Sequence, residues 1–416
     1  MIIVVLLLSM LRGLFILLFG LPNSPQIFFS FTIISIGLVL VKSNLFFWFR
    51  HPNRLKVYLQ LFVFNILLGM LWFVADISYG NYFDSTKIFL FYFIIPISVL
   101  SFMSADKEIL HKVILYASTF IAVSCIVEFV ILNIFPGGII GIEIVRIPLK
   151  MISPDSQMAA FAHIGPIYRA HGITGHYHDS GNILAMSSVY LAGTYFFTRK
   201  NFTLFLLALV NIFGLITTLS MANIIAGFLG LFFVSFFKVK GFIGRLITTT
   251  FVLILLGFSL TYYFDPNEYR ELYTQFDWQG EKMIHMRNTG TSDSITIFIS
   301  MLLGHEVNSG ISDISRWSEA GIIHILMNFG LFLFFPLIVL IAHPIYLYFN
   351  TTKEKKDKMW VPYIAICTGI LTLWHYGSLF RSTSIFLFFA LSSMVFKVYV
   401  ENYKENNRII LNKYLK

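Results

Sequence analysis

The sequence predicts an all-α, polytopic integral membrane protein with about twelve spanning helices and two long extracytoplasmic loops. Three observations predict it. Of 416 residues, 57% are hydrophobic and only 12% charged, and the mean hydropathy of +0.77 lies far above that of soluble globular domains. Apolar runs of 16 to 20 residues recur along almost the whole chain. That is the length a helix rising about 1.5 Å per residue needs to cross roughly 30 Å of hydrocarbon. Finally, lysine and arginine gather between alternate runs, as topology demands of a multi-pass chain.

In order, the first run, 2–20, has no Lys or Arg before it and no small-x-small cleavage site after it. It reads as a retained helix rather than a signal peptide. Runs at 27–41, 57–75, 87–103 and 113–135 follow, then 180–198, 202–218, 221–237 and 246–264, and finally 320–342, 361–376 and 383–399. An even number of spans puts both termini on one side. Lys42, Arg50, Arg54 and Lys56 follow the second run, Lys107 and Lys112 the fourth, and Arg199 and Lys200 the sixth. Lys238, Lys240 and Arg245 follow the eighth, Lys353, Lys355, Lys356 and Lys358 the tenth, and Lys397 at the end of the twelfth joins Lys404, Arg408, Lys413 and Lys416 after it. These make twenty of the thirty Lys and Arg, against nine on the other side, so the positive-inside rule makes both termini cytoplasmic.

The net charge of +9 is mostly this topology signal. A nucleic-acid partner is not expected, because the basic residues form no single stripe with interleaved aromatics. Cys125 and Cys367 both lie inside apolar runs, where a thiol behaves as a small hydrophobe, so no disulfide or cysteine metal framework is indicated. The Lys-rich stretch 353–358 reads as a solvated cytoplasmic anchor.

Most external turns are short, but 136–179 and 265–319 are each about fifty residues long, a length that is usually functional or disordered. Trp278, Trp317 and interspersed apolar residues favour packed segments folded against the outer mouth of the bundle.

The densest polar stretch runs Arg169-Ala-His171-Gly-Ile-Thr-Gly175-His176-Tyr-His178-Asp179-Ser-Gly-Asn182 and ends at the sixth helix. Glycines let a backbone approach an anion, Arg169 offers a planar fork for phosphate oxygens, and a helix start adds partial positive charge. The set suits a diphosphate. His176, His178 and Asp179 also read as plausible zinc ligands, although no cysteine or further fixed-spacing ligand closes that set, and an ordinary structural loop is the third reading.

A second constellation precedes the tenth helix: Gly304-His305-Glu306, then Ser315-Arg316-Trp317-Ser318-Glu319 and His324. Arg316 and Glu319 share a face of a helical first turn. A carboxylate there, whose proton affinity an apolar wall raises, suits a base, with Arg316 holding a phosphate or keeping Glu319 ionised. The competing reading is local: Ser318 as N-cap and Glu319 as a favourable charge in a first turn. Within the spans, Arg12 and Glu128 are expensive unless they face the bundle interior. His375 and Arg381 extend the outer polar mouth.

On these residues the chain resembles the O-antigen polymerase and ligase family (Wzy-type polymerases and their ligase relatives), bacterial membrane glycosyltransferases acting on polyprenyl-diphosphate-linked sugars. The resemblance lies in Arg169, Gly172, Gly175 and Asn182 in that order, and in Thr217-Thr218-Leu219-Ser220 after an apolar helix. It also lies in Glu319 standing eleven residues ahead of Gly330. Two departures are Met221 where the family is usually basic, and Gly304-His305-Glu306 where it usually has a glycine pair.

The resemblance implies a glycosyltransferase C-like fold in the bacterial inner membrane with its active site on the periplasmic side. It implies a polymerase that needs no cofactor or metal, with Glu319 and Arg316 catalytic. Arg169, His171, His176, His178, Arg287 and His324 would bind substrate. Its partners would be the polyprenyl-diphosphate-linked oligosaccharide, membrane lipid and a chain-length regulator protein. Tyr168, Tyr177, Trp278 and Trp317 suit stacking on sugar rings or anchoring at the interface. A ligase would be expected to carry His where Glu319 stands. A flippase would be expected to show paired halves and charges at mid-membrane, whereas the charges here sit in asymmetric outer loops.

Overall fold

A computed structural model describes residues 6–7, 10–19, 67, 102, 105–134, 163–164, 167–198, 200–238, 249–250, 253, 257, 331, 338–339, 341–374 and 384–414. The described elements are α1 (Arg12–Phe19), α2 (Lys107–Asn133), β1 (His163–Ile164), β2 (Ile167–Tyr168), a 3-10 turn (Gly172–Thr174), α3 (Tyr177–Phe197), α4 (Phe202–Thr217), α5 (Met221–Lys238), α6 (Lys353–Leu371), a second 3-10 turn (Thr372–Trp374) and α7 (Ile385–Tyr414). Apart from the antiparallel two-residue ladder, in which His163 faces Tyr168, the described structure is all-helical.

Capping explains where α2 and α4 begin. The Asp106 carboxylate accepts the Glu108 and Ile109 N–H groups at 2.7 and 3.4 Å, so α2 starts six residues before the apolar run at 113. Asn201 caps α4 by accepting Thr203 N–H at 2.9 Å. The Lys-rich stretch is not merely a solvated turn: it forms the opening turns of α6, eight residues ahead of the predicted start at 361, and Lys355 is buried. That helix continues through Pro362, which lacks the N–H that would otherwise bond back one turn.

Helix α3 is the hub, packed against α2, α4, α5 and α6, while α6 also packs on α7. Small residues set the close approaches. A Cβ on Gly214 of α4 would lie 2.6 Å from the Ala122 Cα of α2, and one on Gly193 of α3 would lie 2.7 Å from Val361 Cγ1 of α6. Buried Asn211 ties three helices: its amide donates to Thr119 Oγ1 at 3.1 Å, and its Oδ1 accepts the Ser187 hydroxyl at 3.0 Å.

The same contacts fix direction. Glu128 late in α2 meets Gly172 just before α3, whereas His111 early in α2 meets Tyr190 late in α3. The two helices are therefore antiparallel, and one end of the bundle collects Lys107, Lys112, Lys200, Lys353, Lys355, Lys356 and Lys358. At that end the Lys397 ammonium of α7 donates to the Ala105 carbonyl. Arg169 and the histidines that follow it lie at the other end.

Apolar side chains also face outward. On α2, Tyr116, Phe120, Val123 and Val127 form an exposed stripe at helical spacing, continued by Ile134 at its C-cap, as do Phe202, Leu206 and Phe213 on α4. Among the described residues, α2 is long and apolar enough to cross a membrane, and Phe202–Thr217 and Met221–Phe236 are apolar but shorter. The predicted runs at 27–41, 57–75, 87–103, 246–264 and 320–342 fall almost wholly outside the described residues.

Candidate functional site

The end of α2 anchors the segment that leads into α3. The Asn133 side chain accepts Tyr168 N–H at 2.7 Å and donates to the Tyr168 carbonyl at 3.0 Å, which hangs β2 from the helix. Two residues on, Ala170 N–H donates to the Thr217 carbonyl at the end of α4, at 3.1 Å. Gly172 then turns with φ +61°, sending its N–H to Glu128 Oε2 at 2.5 Å, and Ile173 N–H reaches Ser124 Oγ at 3.0 Å. The Ser180 hydroxyl donates back to the His171 carbonyl at 2.6 Å. Gly175, at φ +80°, ends the 3-10 turn, and His176 caps α3 by accepting His178 N–H on Nδ1 at 3.2 Å.

Arg169, His171, His176 and His178 are all brought together around Tyr177. The Arg169 guanidinium stands 4.7 Å from the Tyr177 ring centroid, a cation–π distance, and its Nε is buried without a hydrogen bond among the described residues. His176 stacks on Tyr177 at 4.9 Å, His178 tilts against it at 4.1 Å, and His171 meets it edge-on at 5.5 Å. His171 and His178 are buried; His176 is half-buried.

One expected role changes. The glycine amides do not form an anion cradle, because Gly172 N–H is committed to Glu128 and Gly175 N–H to the Gly172 carbonyl at 3.1 Å. Gly172 instead admits a close approach to α2: a Cβ there would lie 2.5 Å from Cys125 Sγ. What this end offers an anion is the Arg169 fork beside the first turn of α3. The ring nitrogens His176 Nδ1 and His178 Nδ1 are engaged within the chain. Among the described residues no three His, Cys, Asp or Glu side chains converge as metal ligands, and Cys125 and Cys367 are free thiols.

Sequence reasoning missed the partners that come from other helices. His178 Nδ1 lies 2.9 Å from Ser220 Oγ at the α4–α5 junction, and Asn223 of α5 donates to Ser220 Oγ at 2.9 Å and to the His178 carbonyl at 3.0 Å. Leu219, just before Ser220, is held at φ +52°, a left-handed conformation that costs a leucine about 1–2 kcal/mol. Thr217 to Ser220 stood out only through the family resemblance. Glu128 carried a signal, as a carboxylate in an apolar run. Glu319, Arg316, Arg287 and His324 lie outside the described residues, as do Trp278 and Trp317.

A separate cavity of about 240 Å³ opens at the lysine-bearing end, between Lys107, His111, Tyr190, Asp357 and Lys358, and takes no part in this site. Comparison of the chain with protein-family models, with curated proteins and with solved structures finds no match in any of the three.

Proposed function

We propose that the chain is a repeat-unit polymerase of surface polysaccharide, O-antigen or capsule, working as a metal-independent glycosyltransferase. It spans the bacterial inner membrane about twelve times, with both termini cytoplasmic. The observation that carries the reading is Arg169 held against Tyr177 at the first turn of α3, with three histidines around the same ring. This cluster lies at the bundle end opposite the lysines, where the outer leaflet would present a lipid-linked diphosphate. The outward apolar stripes of α2 and α4 support the membrane setting.

In the reaction, a sugar hydroxyl of the incoming lipid-linked repeat unit attacks the anomeric carbon of the growing glycan. The bond from that carbon to the diphosphate oxygen breaks, and polyprenyl diphosphate leaves. Glu319 takes the hydroxyl proton, and Arg169, Arg316 and Arg287 balance the charge developing on the diphosphate. Fixed cations make a metal unnecessary for that task.

The test is deletion of the gene in its native host, followed by gel analysis of surface polysaccharide from strains restored with the wild type, Glu319→Gln or Arg169→Ala. A single repeat unit on its anchor, in the deletion and both variants at normal protein level, is the expected result. Loss of all sugar from the anchor would favour a ligase or flippase, and an unchanged ladder would overturn the proposal.

A further inference from the structure

We infer that Ser220 and Asn223 are positioning residues that hold neutral His178 in the tautomer with its proton on Nε2, making His178 a hydrogen-bond donor rather than a base. The Asn223 amide sets the direction of these bonds. One neighbour, the His178 main-chain carbonyl at 3.0 Å, can only accept, so the Asn223 atom facing it is the donor nitrogen. The same nitrogen lies 2.9 Å from Ser220 Oγ and spends its second hydrogen there. Ser220 has only one proton and, among the described residues, no other acceptor within reach of it, so with Asn223 donating to its oxygen that proton goes to His178 Nδ1, at 2.9 Å. A ring nitrogen that accepts a hydrogen bond carries no proton of its own, which leaves the proton of neutral imidazole on Nε2.

The local backbone serves this relay. Leu219 at φ +52° breaks the run between α4 and α5 and sets Ser220, 1% exposed, against α3. Gly181 opens the space for Asn223, since a Cβ there would lie 2.6 Å from Asn223 Nδ2. Asn223 Oδ1 is buried without a hydrogen bond among the described residues, so this amide is held for its two donations.

The functional consequence rests on the polymerase reading: a neutral N–H donor beside the Arg169–Tyr177 pair stabilises oxygens gaining negative charge on a leaving diphosphate, and leaves proton removal to another group. The tautomer itself does not depend on that reading. The experiment therefore has two arms. In the full-length chain in lipid nanodiscs with ring-15N histidine, the His178 signals, assigned by their loss in His178→Gln, should show an unprotonated Nδ1 and a protonated Nε2. Ser220→Ala should convert them to a tautomer mixture, and Ser220→Thr should restore them. A proton on Nδ1 in the wild type, or an unchanged spectrum in Ser220→Ala, overturns the inference.

In cells, Ser220→Ala should cut polymer formation by up to about a hundredfold through misorientation, with Ser220→Thr restoring it. His178→Gln, which keeps a donor but has no basic nitrogen, should retain more polymer than His178→Ala. Equal loss in both would overturn the donor role. A deletion strain with an unchanged ladder would sink the polymerase reading while leaving the tautomer to the spectra.

Discussion

Replacing Gly172 with alanine loads two penalties onto one methyl group. At φ +61° an L-residue costs about 1–2 kcal/mol more than glycine. The new Cβ would also lie 2.5 Å from Cys125 Sγ and 2.9 Å from Ser124 Oγ. Neither neighbour has room to yield: Cys125 is fully buried, and Ser124 donates to the Ile121 carbonyl at 2.7 Å while accepting Ile173 N–H. Overpacking of this kind costs about 1–3 kcal/mol, so Gly172→Ala should lose roughly 2–5 kcal/mol in all. The assay is equilibrium unfolding in mixed detergent micelles, followed by tryptophan fluorescence. Cys125→Ala removes the nearer obstacle, so the double variant should recover about 1 kcal/mol relative to the sum of the single changes. Strict additivity would refute the steric argument, and wild-type stability in Gly172→Ala would refute the backbone argument with it.

Gly214→Ala should destabilise by about 1–3 kcal/mol in the same assay, because its methyl would meet the Ala122 backbone of α2 at 2.6 Å; Gly257→Ala, with nothing within 4 Å of its Cβ, is the matched control and should be neutral. Asn211→Leu should lose about 1 kcal/mol, measured likewise, by leaving the Thr119 and Ser187 hydroxyls without their shared partner. In a background with Cys125 and Cys367 replaced, a cysteine at His176 should react with an impermeant maleimide from the periplasm. One at Lys353 should react only after permeabilisation, and the opposite pattern would invert the topology.

The helices were legible in the sequence wherever they are apolar, and less so where they are not. The runs at 202–218 and 221–237 match α4 and α5 within a residue, because these helices are greasy from end to end. Helix α2 begins at Lys107 and α6 at Lys353, since an Asp106 cap and a lysine-rich turn extend a helix without adding hydropathy. Helix α3 begins at Tyr177, so His178 and Asp179 belong to its first turn rather than to the preceding loop. The site was legible as a cluster of residue types from Arg169 to Asn182. Its wiring was not, because the bonds His178–Ser220 and Glu128–Gly172 span 42 and 44 residues and no local pattern announces them. Nor did residue type separate the three histidines, which the fold makes a helix cap (His176), a buried ring (His171) and a relay terminus (His178).

Helix α3 is buried without interruption from His178 to Thr194, and it is studded with Ser180, Asn182, Ser187 and Ser188. In the membrane-spanning reading, such a segment is a poor solute for lipid until α2, α4, α5 and α6 surround it. Its insertion then becomes a collective event: the ribosome must deliver later helices before this one has a stable home, and a chain truncated after α3 should be degraded rather than retained in the bilayer. The segment that organises the candidate site is thus the last to become independent of its neighbours.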